Sequence, residues 1–586
     1  MDYNRRDFIK QNSILAAGAS LLGNSSLLKT GALPFYDDNQ SGEIAQYFDG
    51  FTLIGPRRYK HAAERWQLNE LLEEMDHCTI AGAMVASTLS IYYDPMNGNL
   101  ELSDQLKLHN NLFAVWNVMP HQTGEFPRPE ELERKMKEHN VRAVSIHPLA
   151  NGWDWKAQSS RLLLKWIEKQ KVLTIVTAPE LGGWIEVEEF LTRFPGIPVL
   201  LTDASWIEQR YLLPLLGTHR NLHISFDHFQ INDGVESLCK SGYEDQLIFA
   251  TNAPSMSMGA HRTYIDYAEI SSVAKKKIQG GNLTRLLHGL QPPKKSRPNP
   301  DEDELMAAVR AGKPIPAPII DMHMHVLEEG LDGAGGAGYR MQHGGPKHIF
   351  PKVKRLGYNG GGVVNARGPL SCDVIGGNIC TTNALDVAPQ GFWGLATLNT
   401  THFSQSQFEK MIKEVYSDKR LIGMKPYFFY GLEYTHPSYN AWWEYGNERN
   451  FYALVHTERP DLTEIDTLAE RYPNVRWLTA HACRSWKMAD MVIEVIKRRP
   501  NVYAEITFTL VPSGIIEYIV NAVGDERVVY GSDIPCRDPR QQLGWVVFSR
   551  LPLASKKKIL STNALTVIEP CIKQLPAYNR PQIKTL

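Results

Sequence analysis

The chain repeats one pattern of short apolar runs about 279 residues apart, and this repeat constrains the fold more than any other feature. The matched pairs are Val85 with Val364, Phe113 with Trp393, Val176 with Val455, and Pro195 with Pro473. Because unrelated runs keep nearly the same offset, the sequence predicts a tandem duplication. In a chain of 586 residues, each copy has room for one α/β barrel of roughly 250 residues.

The repeat and the local composition also predict the domain boundaries. The predicted segments are a leader over 1–40, a first domain over 41–290, a linker over 291–316, a second domain over 317–575 and a tail over 576–586. The linker begins with prolines and charged residues, which cannot build a core. A short helix over 302–311 is expected just before the second domain.

Within each copy, short apolar runs alternate with charged stretches of helical length. Such runs lie at 83–86 and 172–176 in the first copy, and at 362–364 and 452–455 in the second. This alternation predicts parallel strands joined by crossover helices, and about eight units per copy favour two tandem (β/α)₈ TIM-type barrels. A doubly wound open sheet is the alternative. In both folds, polar residues at the carboxyl ends of the strands meet on one face.

The composition excludes several classes of function. The chain has 63 lysines and arginines against 64 acidic residues, and no long basic run. It therefore has no electrostatic signature of a nucleic-acid or membrane-surface protein. Its seven cysteines are too few for a disulfide framework and form no C-x-x-C pair.

The amino-terminal leader resembles a twin-arginine (Tat) signal peptide. Arg5 and Arg6 precede a bulky apolar pair and a lysine, and a weakly apolar stretch follows over 13–22. This stretch is far shorter than the roughly 20 residues that span a membrane. The leader therefore predicts export to the periplasm by the Tat machinery, without a membrane anchor.

The second copy carries a metal-ligand pattern in its first predicted strand. His323 and His325 follow an apolar run at i and i+2, so strand alternation sends both imidazoles to the same side. Alone, such a pair also fits histidines that are merely hydrogen-bonded at a strand end. Three further ionisable residues, His456, His481 and Asp533, each end an apolar run at the same structural phase. Together they predict a metal site in the barrel mouth.

With these residues, the second copy resembles the amidohydrolase superfamily, specifically the amidohydrolase-2 family of metal-dependent TIM-barrel hydrolases and decarboxylases. The resemblance runs from about residue 314 to residue 572. It includes the motifs Gly531-Ser-Asp-Ile-Pro535, Leu543-Gly-Trp-Val546 and Asn563-Ala564.

The resemblance implies metal ligation by His323, His325, His456 and Asp533, and a catalytic acid or base role for His481. Asp533 could instead hydrogen-bond the attacking water and take its proton, so it is both a metal and a catalytic candidate. The expected cofactor is one divalent metal, with Zn²⁺ favoured.

Three further residues are candidates for substrate binding. Lys425 ends the strand beside His456 and would orient substrate, although a carboxylated lysine bridging two metals is a second interpretation. Tyr427 lies near the same strand end. Arg484, just past His481, could hold a carboxylate or lie on the surface.

The first copy lacks the ligand set. Phe51 and Leu53 occupy the positions of the two paired histidines, and Thr177, Asp203 and Asn252 those of His456, His481 and Asp533. The first barrel is therefore expected to bind no metal. It could stabilise the second barrel, cover its mouth or bind part of the substrate.

The expected function is that of an exported metal-dependent hydrolase acting on a small lactone, amide or related carboxylated or sugar-derived molecule. A non-oxidative metal-dependent decarboxylase is the alternative within enzymes, and a non-catalytic exported ligand-binding protein is the alternative from another class. The expected partners are a small-molecule substrate and the Tat machinery, with homo-oligomerisation left open.

Overall fold

Two sheets of parallel strands organise the residues described by the structure, a computed structural model. The described residues are 46–58, 61–295, 298–328, 340–456 and 461–582. The seven strands of the first sheet are β1 Tyr47–Ile54, β2 Ile80–Ser87, β3 Leu112–Asn117, β4 Ala143–Ser145, β5 Leu173–Val176, β6 Val199–Leu201 and β7 Leu222–Ile224. The eight strands of the second sheet are β8 Ile319–Val326, β9 Tyr358–Asn365, β10 Phe392–Ala396, β11 Leu421–Met424, β12 Tyr452–His456, β13 Arg476–Ala480, β14 Val502–Glu505 and β15 Val528–Val529. In both sheets the strands lie side by side in chain order.

Helices connect the strands, as expected for crossover units. Those of the first half are α1 Leu68–His77, α2 Thr88–Tyr92, α3 Pro95–Leu106, α4 Pro129–Glu138, α5 Arg161–Gln170, α6 Ala178–Leu181, α7 Trp184–Arg193, α8 Gln209–Thr218, α9 Gly234–Lys240, α10 Met258–Asp266, α11 Ser272–Lys276 and α12 Asn282–Leu286. Those of the second half are α13 Glu304–Arg310, α14 Pro346–Arg355, α15 Arg367–Ser371, α16 Val374–Asp386, α17 Gln405–Val415, α18 Asn440–Arg449, α19 Thr463–Arg471, α20 Trp486–Arg498, α21 Ile515–Val523, α22 Pro539–Val547, α23 Leu553–Lys557 and α24 Asn563–Ile572.

Hydrogen bonds between the first and last segments close each sheet into a barrel. In the first barrel, the Gly50 amide on β1 donates to the Phe249 carbonyl at 2.8 Å, so the segment after β7 takes the place of an eighth strand. In the second barrel, the Met322 amide on β8 donates to the Tyr530 carbonyl at 3.0 Å. The predicted pair of TIM-type barrels is therefore confirmed, and the open-sheet alternative is wrong.

A buried aspartate makes the same cross-link in both barrels. In the first, Asp49 Oδ1 accepts from the amides of Phe51 (3.0 Å) and Thr251 (3.2 Å). In the second, Asp321 Oδ1 accepts from the amides of His323 (2.9 Å) and Ser532 (3.0 Å). Each aspartate thus ties the first strand to the segment that closes the barrel.

The two barrels also pack on each other through equivalent helices, α10 and α22. A Cβ added to Gly544 on α22 would lie 2.5 Å from the Cα of Ala260 on α10, so only glycine permits this approach. The Arg540 guanidinium on α22 reaches Glu236 of the first barrel and Asp538 beside it. The described part of the chain from residue 46 onward lies in one compact unit.

The leader and the glycine-rich stretch around 331–339 lie outside the described residues. Among the residues that are described, no helix is both long enough and apolar enough to cross a membrane.

Candidate metal centre

Strand β8 carries the two paired histidines into the mouth of the second barrel. Both rings are buried and lie side by side, with centroids 5.3 Å apart. Asp533 comes from the segment that closes the barrel. Its Oδ1 lies 3.5 Å from His323 Nε2 and 3.3 Å from His325 Nε2.

The spacing of these three donor atoms fits one tetrahedral ion. With metal–ligand bonds of about 2.0 to 2.1 Å, neighbouring ligand atoms of a tetrahedral site lie about 3.3 Å apart. The two separations from Asp533 Oδ1 are close to that value, and all three donor atoms lie within 4.8 Å of one another. His323, His325 and Asp533 can therefore hold a divalent metal.

Glu505, which the sequence left without a role, supports the first of these histidines. Its side chain is fully buried at the end of β14, and its Oε2 lies 3.0 Å from His323 Nδ1. A proton on Nδ1 directed at this carboxylate leaves the Nε2 lone pair for a metal, which is the usual support of a histidine ligand. An acidic residue inside an apolar run, as in Val502-Tyr-Ala-Glu505, was the available signal.

His481 is held in one tautomer by a backbone carbonyl. Its Nδ1 lies 2.8 Å from the Thr507 oxygen, and because a carbonyl can only accept, Nδ1 carries the proton. Burial, followed by the nearby His456, lowers the pKa of His481 well below its ordinary value. The ring is therefore neutral, and its Nε2 can accept a hydrogen bond.

His481 and Asp533 both adopt left-handed backbone conformations, with φ of 63° and 54°. Such a conformation costs non-glycine residues on the order of 1 to 2 kcal/mol each. Strain of this kind persists only where the surroundings hold it, and it is found at functional sites.

Arg537 is a second functional candidate that sequence reasoning missed. Its guanidinium forms an ion pair with Asp533 Oδ2, and its Nε donates to Thr509 Oγ1 at 2.9 Å. Asp533 is thus bound on one oxygen by arginine and faces the histidines with the other. The i+4 spacing from Asp533 could have suggested the pair.

Lys425 lies beside His323 Nε2, a candidate ligand atom. Its Nζ is 3.2 Å from His323 Nε2, and the side chain is fully buried. Burial lowers the pKa of Lys425 to about 7. Lys425 is not among the described residues that line the cavity, so its contact with substrate stays a prediction.

His456 and Tyr427 pack together at the mouth. Their ring centroids are 4.8 Å apart, and His456 lies 4.9 Å from the ring of His481. His456 lines the cavity but is not in the convergent group of His323, His325 and Asp533. Its assignment as a ligand stays a prediction.

These side chains surround a cavity of about 190 Å³. The cavity is lined by Trp206, His323, His325, Ala366, Pro369, Leu370, Tyr427, Phe428, His456, His481, Phe508, Asp533, Cys536 and Arg537. Arg484 is not among these described lining residues, so its proposed contact with a carboxylate has no support from the cavity. Among the described residues that line the cavity, Trp206 alone belongs to the first barrel.

The equivalent positions of the first barrel are engaged in ordinary structural contacts. Thr177 caps α6, and both Asp203 oxygens accept from the Ala178 amide at 3.0 and 3.1 Å. Asn252 Oδ1 accepts from Arg57 Nη2 at 3.0 Å. Among the described residues of this barrel, no three histidine, cysteine or acidic side chains converge as they do in the second.

Comparison with known proteins places similarity in the second barrel. Residues 320–568 match the family model described as Amidohydrolase, whose members are enzymes. This match supports the resemblance found in the sequence. No curated protein matches the chain.

Several solved structures are similar over 42% of this chain and 99% of their own. They include 5-carboxyvanillate decarboxylase from Sphingomonas paucimobilis (13% identity, TM-score 0.34) and 2,6-dihydroxybenzoate decarboxylase from Rhizobium (13%, 0.33). A probable 2-pyrone-4,6-dicarboxylic acid hydrolase from Acinetobacter baumannii is 11% identical, with a TM-score of 0.33.

Proposed function

We propose that the second barrel is a metal-dependent hydrolase in which His323, His325 and Asp533 hold one divalent ion, with Zn²⁺ expected. The observation that carries this proposal is the convergence of their donor atoms, with Asp533 Oδ1 at 3.5 and 3.3 Å from the two histidine nitrogens and all three atoms within 4.8 Å of one another. The family match over 320–568 supports it. His456 is the candidate for a further ligand.

When bound, such an ion supplies Lewis-acid chemistry, polarising a substrate oxygen and acidifying water. The protein's own residues then divide the remaining work. Asp533 already pairs with Arg537 through one oxygen, which makes it a poorer proton acceptor and favours its role as a ligand. The orientation of His481, fixed by the bond between Nδ1 and the Thr507 carbonyl, supports the proposal that its Nε2 exchanges a proton with the attacking water and the leaving group.

The cavity restricts the substrate to a small molecule. Its volume of about 190 Å³ is below the range of roughly 300 to 1,000 Å³ typical of drug-sized ligands. A lactone, an amide or a carboxylated or sugar-derived ring remains the proposed substrate class. Decarboxylation by the same residues is the alternative reaction, and ligand binding without turnover is the alternative from another class.

Elemental analysis of the purified full chain, followed by a substrate panel, tests this function. We expect about one zinc per chain and turnover of a lactone or amide to an acid. Release of carbon dioxide from a carboxylated ring would instead establish the decarboxylase. Saturable binding with no product would favour the binding protein, and absence of metal would contradict all but the last.

We also propose that the chain is exported to the periplasm by the Tat machinery. The support is the sequence around Arg5 and Arg6. Changing both to lysine should leave a longer, unprocessed protein in the cytoplasm. Export of this variant at the wild-type level, measured by fractionation and immunoblotting, would refute the proposal.

A further inference from the structure

The first barrel contributes a side chain to the cavity of the second. Trp206 follows strand β6 of the first barrel and lines the cavity that contains His323, His481 and Asp533. Only 8% of its surface is exposed to solvent. The indole therefore closes part of the candidate site, although the barrel that carries it has no convergent ligand group among its described residues.

Several hydrogen bonds fix the segment that carries this tryptophan. Trp206 begins a single 3₁₀ turn capped by Ser205, and its amide donates to the His228 carbonyl at 3.3 Å. Gln209 Nε2 donates both to the Trp206 carbonyl at 2.8 Å and to the Arg340 carbonyl of the second barrel at 3.1 Å. The position of Trp206 is thus tied to both barrels.

A second contact links the first barrel to the acidic end of the site. Gln230 Nε2 donates to the Thr509 carbonyl at 2.6 Å, and Thr509 Oγ1 accepts from Arg537 Nε. Arg537 in turn forms the ion pair with Asp533. The first barrel therefore contacts the segment that orients the candidate ligand, as well as the cavity wall.

The remaining walls indicate what Trp206 would face. Tyr427, Phe428 and Phe508 of the second barrel line the same cavity, whereas the histidines and Asp533 form its polar part. A cavity of about 150 Å³ holds one benzene molecule, so about 190 Å³ has room for one ring with small substituents. Aromatic walls favour a planar ring, because ring pairs gain energy beyond the burial of surface.

We infer that Trp206 of the first barrel is a substrate-positioning residue of the second, packing against a planar ring whose polar group points to the metal ligands. The inference rests on the proposed metal-dependent function. The first barrel would then help to bind substrate, in addition to any effect on stability.

Affinity for two small carboxylates, measured on the metal-loaded full chain, tests this role. Benzoate carries one planar ring, and acetate carries the same charge without it. Isothermal titration calorimetry gives the dissociation constant of each. We expect Trp206→Ala to weaken benzoate about 10-fold and acetate less than about 2-fold. Trp206→Phe should keep most of the preference for benzoate, whereas Trp206→Leu, which fills space without a ring, should lose it.

Trp166→Ala is the matched control. Trp166 is also in the first barrel, but it lies on an outer helix, where its Nε1 donates to Glu133 at 3.0 Å. We expect its loss to leave both affinities within about 2-fold of wild type. If Trp206→Ala does not fold, the comparison of Trp206→Phe with Trp206→Leu decides the question alone.

The outcomes separate this inference from the proposed function. A metal-loaded protein with no preference for benzoate, or one whose preference survives both Trp206→Ala and Trp206→Leu, would overturn the role of Trp206 and leave the hydrolase proposal standing. An equal effect of Trp166→Ala would also overturn it. Wild-type protein that binds no metal would refute the hydrolase proposal, and this inference with it.

Discussion

The two barrels differ most clearly at the same two positions of their first strands. In the first, Phe51 and Leu53 join a cluster of apolar side chains. In the second, His323 and His325 face a cavity that also holds Asp533. The first interior is stabilised by burial of apolar surface, whereas the second buries polar groups at a cost in solvation.

The shared features show what the barrel frame itself requires. Asp49 and Asp321 make the same pair of backbone contacts, although only one lies beside candidate metal ligands. Asn252 keeps the left-handed backbone of Asp533, with φ of 60°. The backbone geometry of the mouth is therefore compatible with either set of side chains, so the side chains alone distinguish a candidate metal site from an ordinary core.

The largest effect is expected from removing the two histidines together. His323→Ala with His325→Ala should reduce metal from about one per chain to none and lower turnover to background, because two of three convergent donors are lost. Phe51→Leu at the matching position of the first barrel is the control and should leave metal content unchanged. Full metal in the double-alanine variant, measured by elemental analysis, would refute the assignment.

The next largest effects should separate His481 from Asp533. His481→Asn should lower kcat by about 10²-fold to 10⁴-fold while metal largely persists, because proton transfer is impaired. Asp533→Asn should lower both metal content and turnover, because it removes the charge of one of the three proposed ligands. Asp203→Asn, at the position of His481 in the first barrel, should have no effect on turnover. Loss of metal in His481→Asn, with full activity in Asp533→Asn, would make His481 the ligand and our mechanism wrong.

A smaller effect is expected at Glu505, which contacts His323 through the ring nitrogen Nδ1. Glu505→Gln should weaken metal affinity about 10-fold to 100-fold, the usual range for losing the support of a histidine ligand. Asp227, just past the seventh strand of the first barrel, offers the control change Asp227→Asn. Competition with a zinc-sensitive dye gives both affinities, and equal values for the two variants would argue against the assigned support.

The smallest effect is on the pH dependence of stability, and it concerns Asp49, the first-barrel equivalent of Asp321. Burial raises the pKa of Asp49 to about 7, against about 3.9 in an unfolded chain. Between these values the unfolded chain has lost a proton that the folded chain keeps, so Asp49 makes stability fall as pH rises from about 4 to about 7.

Asp49→Asn cannot ionise and should remove this contribution. We expect the free energy of unfolding of the variant, relative to wild type, to increase over that pH range and stay constant above it. Urea unfolding at several pH values measures the change, with Asp301→Asn at an exposed position as the control. A difference that does not vary with pH would show that Asp49 ionises normally.

The spacing of apolar runs and the polar residues at their ends predict most of the fold and much of the candidate site from the sequence alone. The expected runs at 172–176 and 452–455 fall on strands β5 and β12. Glu505 and Arg537 were missed, because each acts through a partner far from it in sequence or across a turn. Lys425 and Arg484 were grouped with substrate contacts, since strand ends do not reveal which side chains line a cavity.

The sequence by itself determined the two-barrel architecture and the difference between the two mouths. Both depend on local patterns: apolar runs of strand and helix length, and the presence or loss of histidines at the ends of those runs. Only the tertiary structure shows that Trp206 lines the cavity of the second barrel and that Gln230 contacts Thr509. Those contacts join residues separated by hundreds of positions in sequence, and they depend on how two folded barrels pack, which no local pattern records.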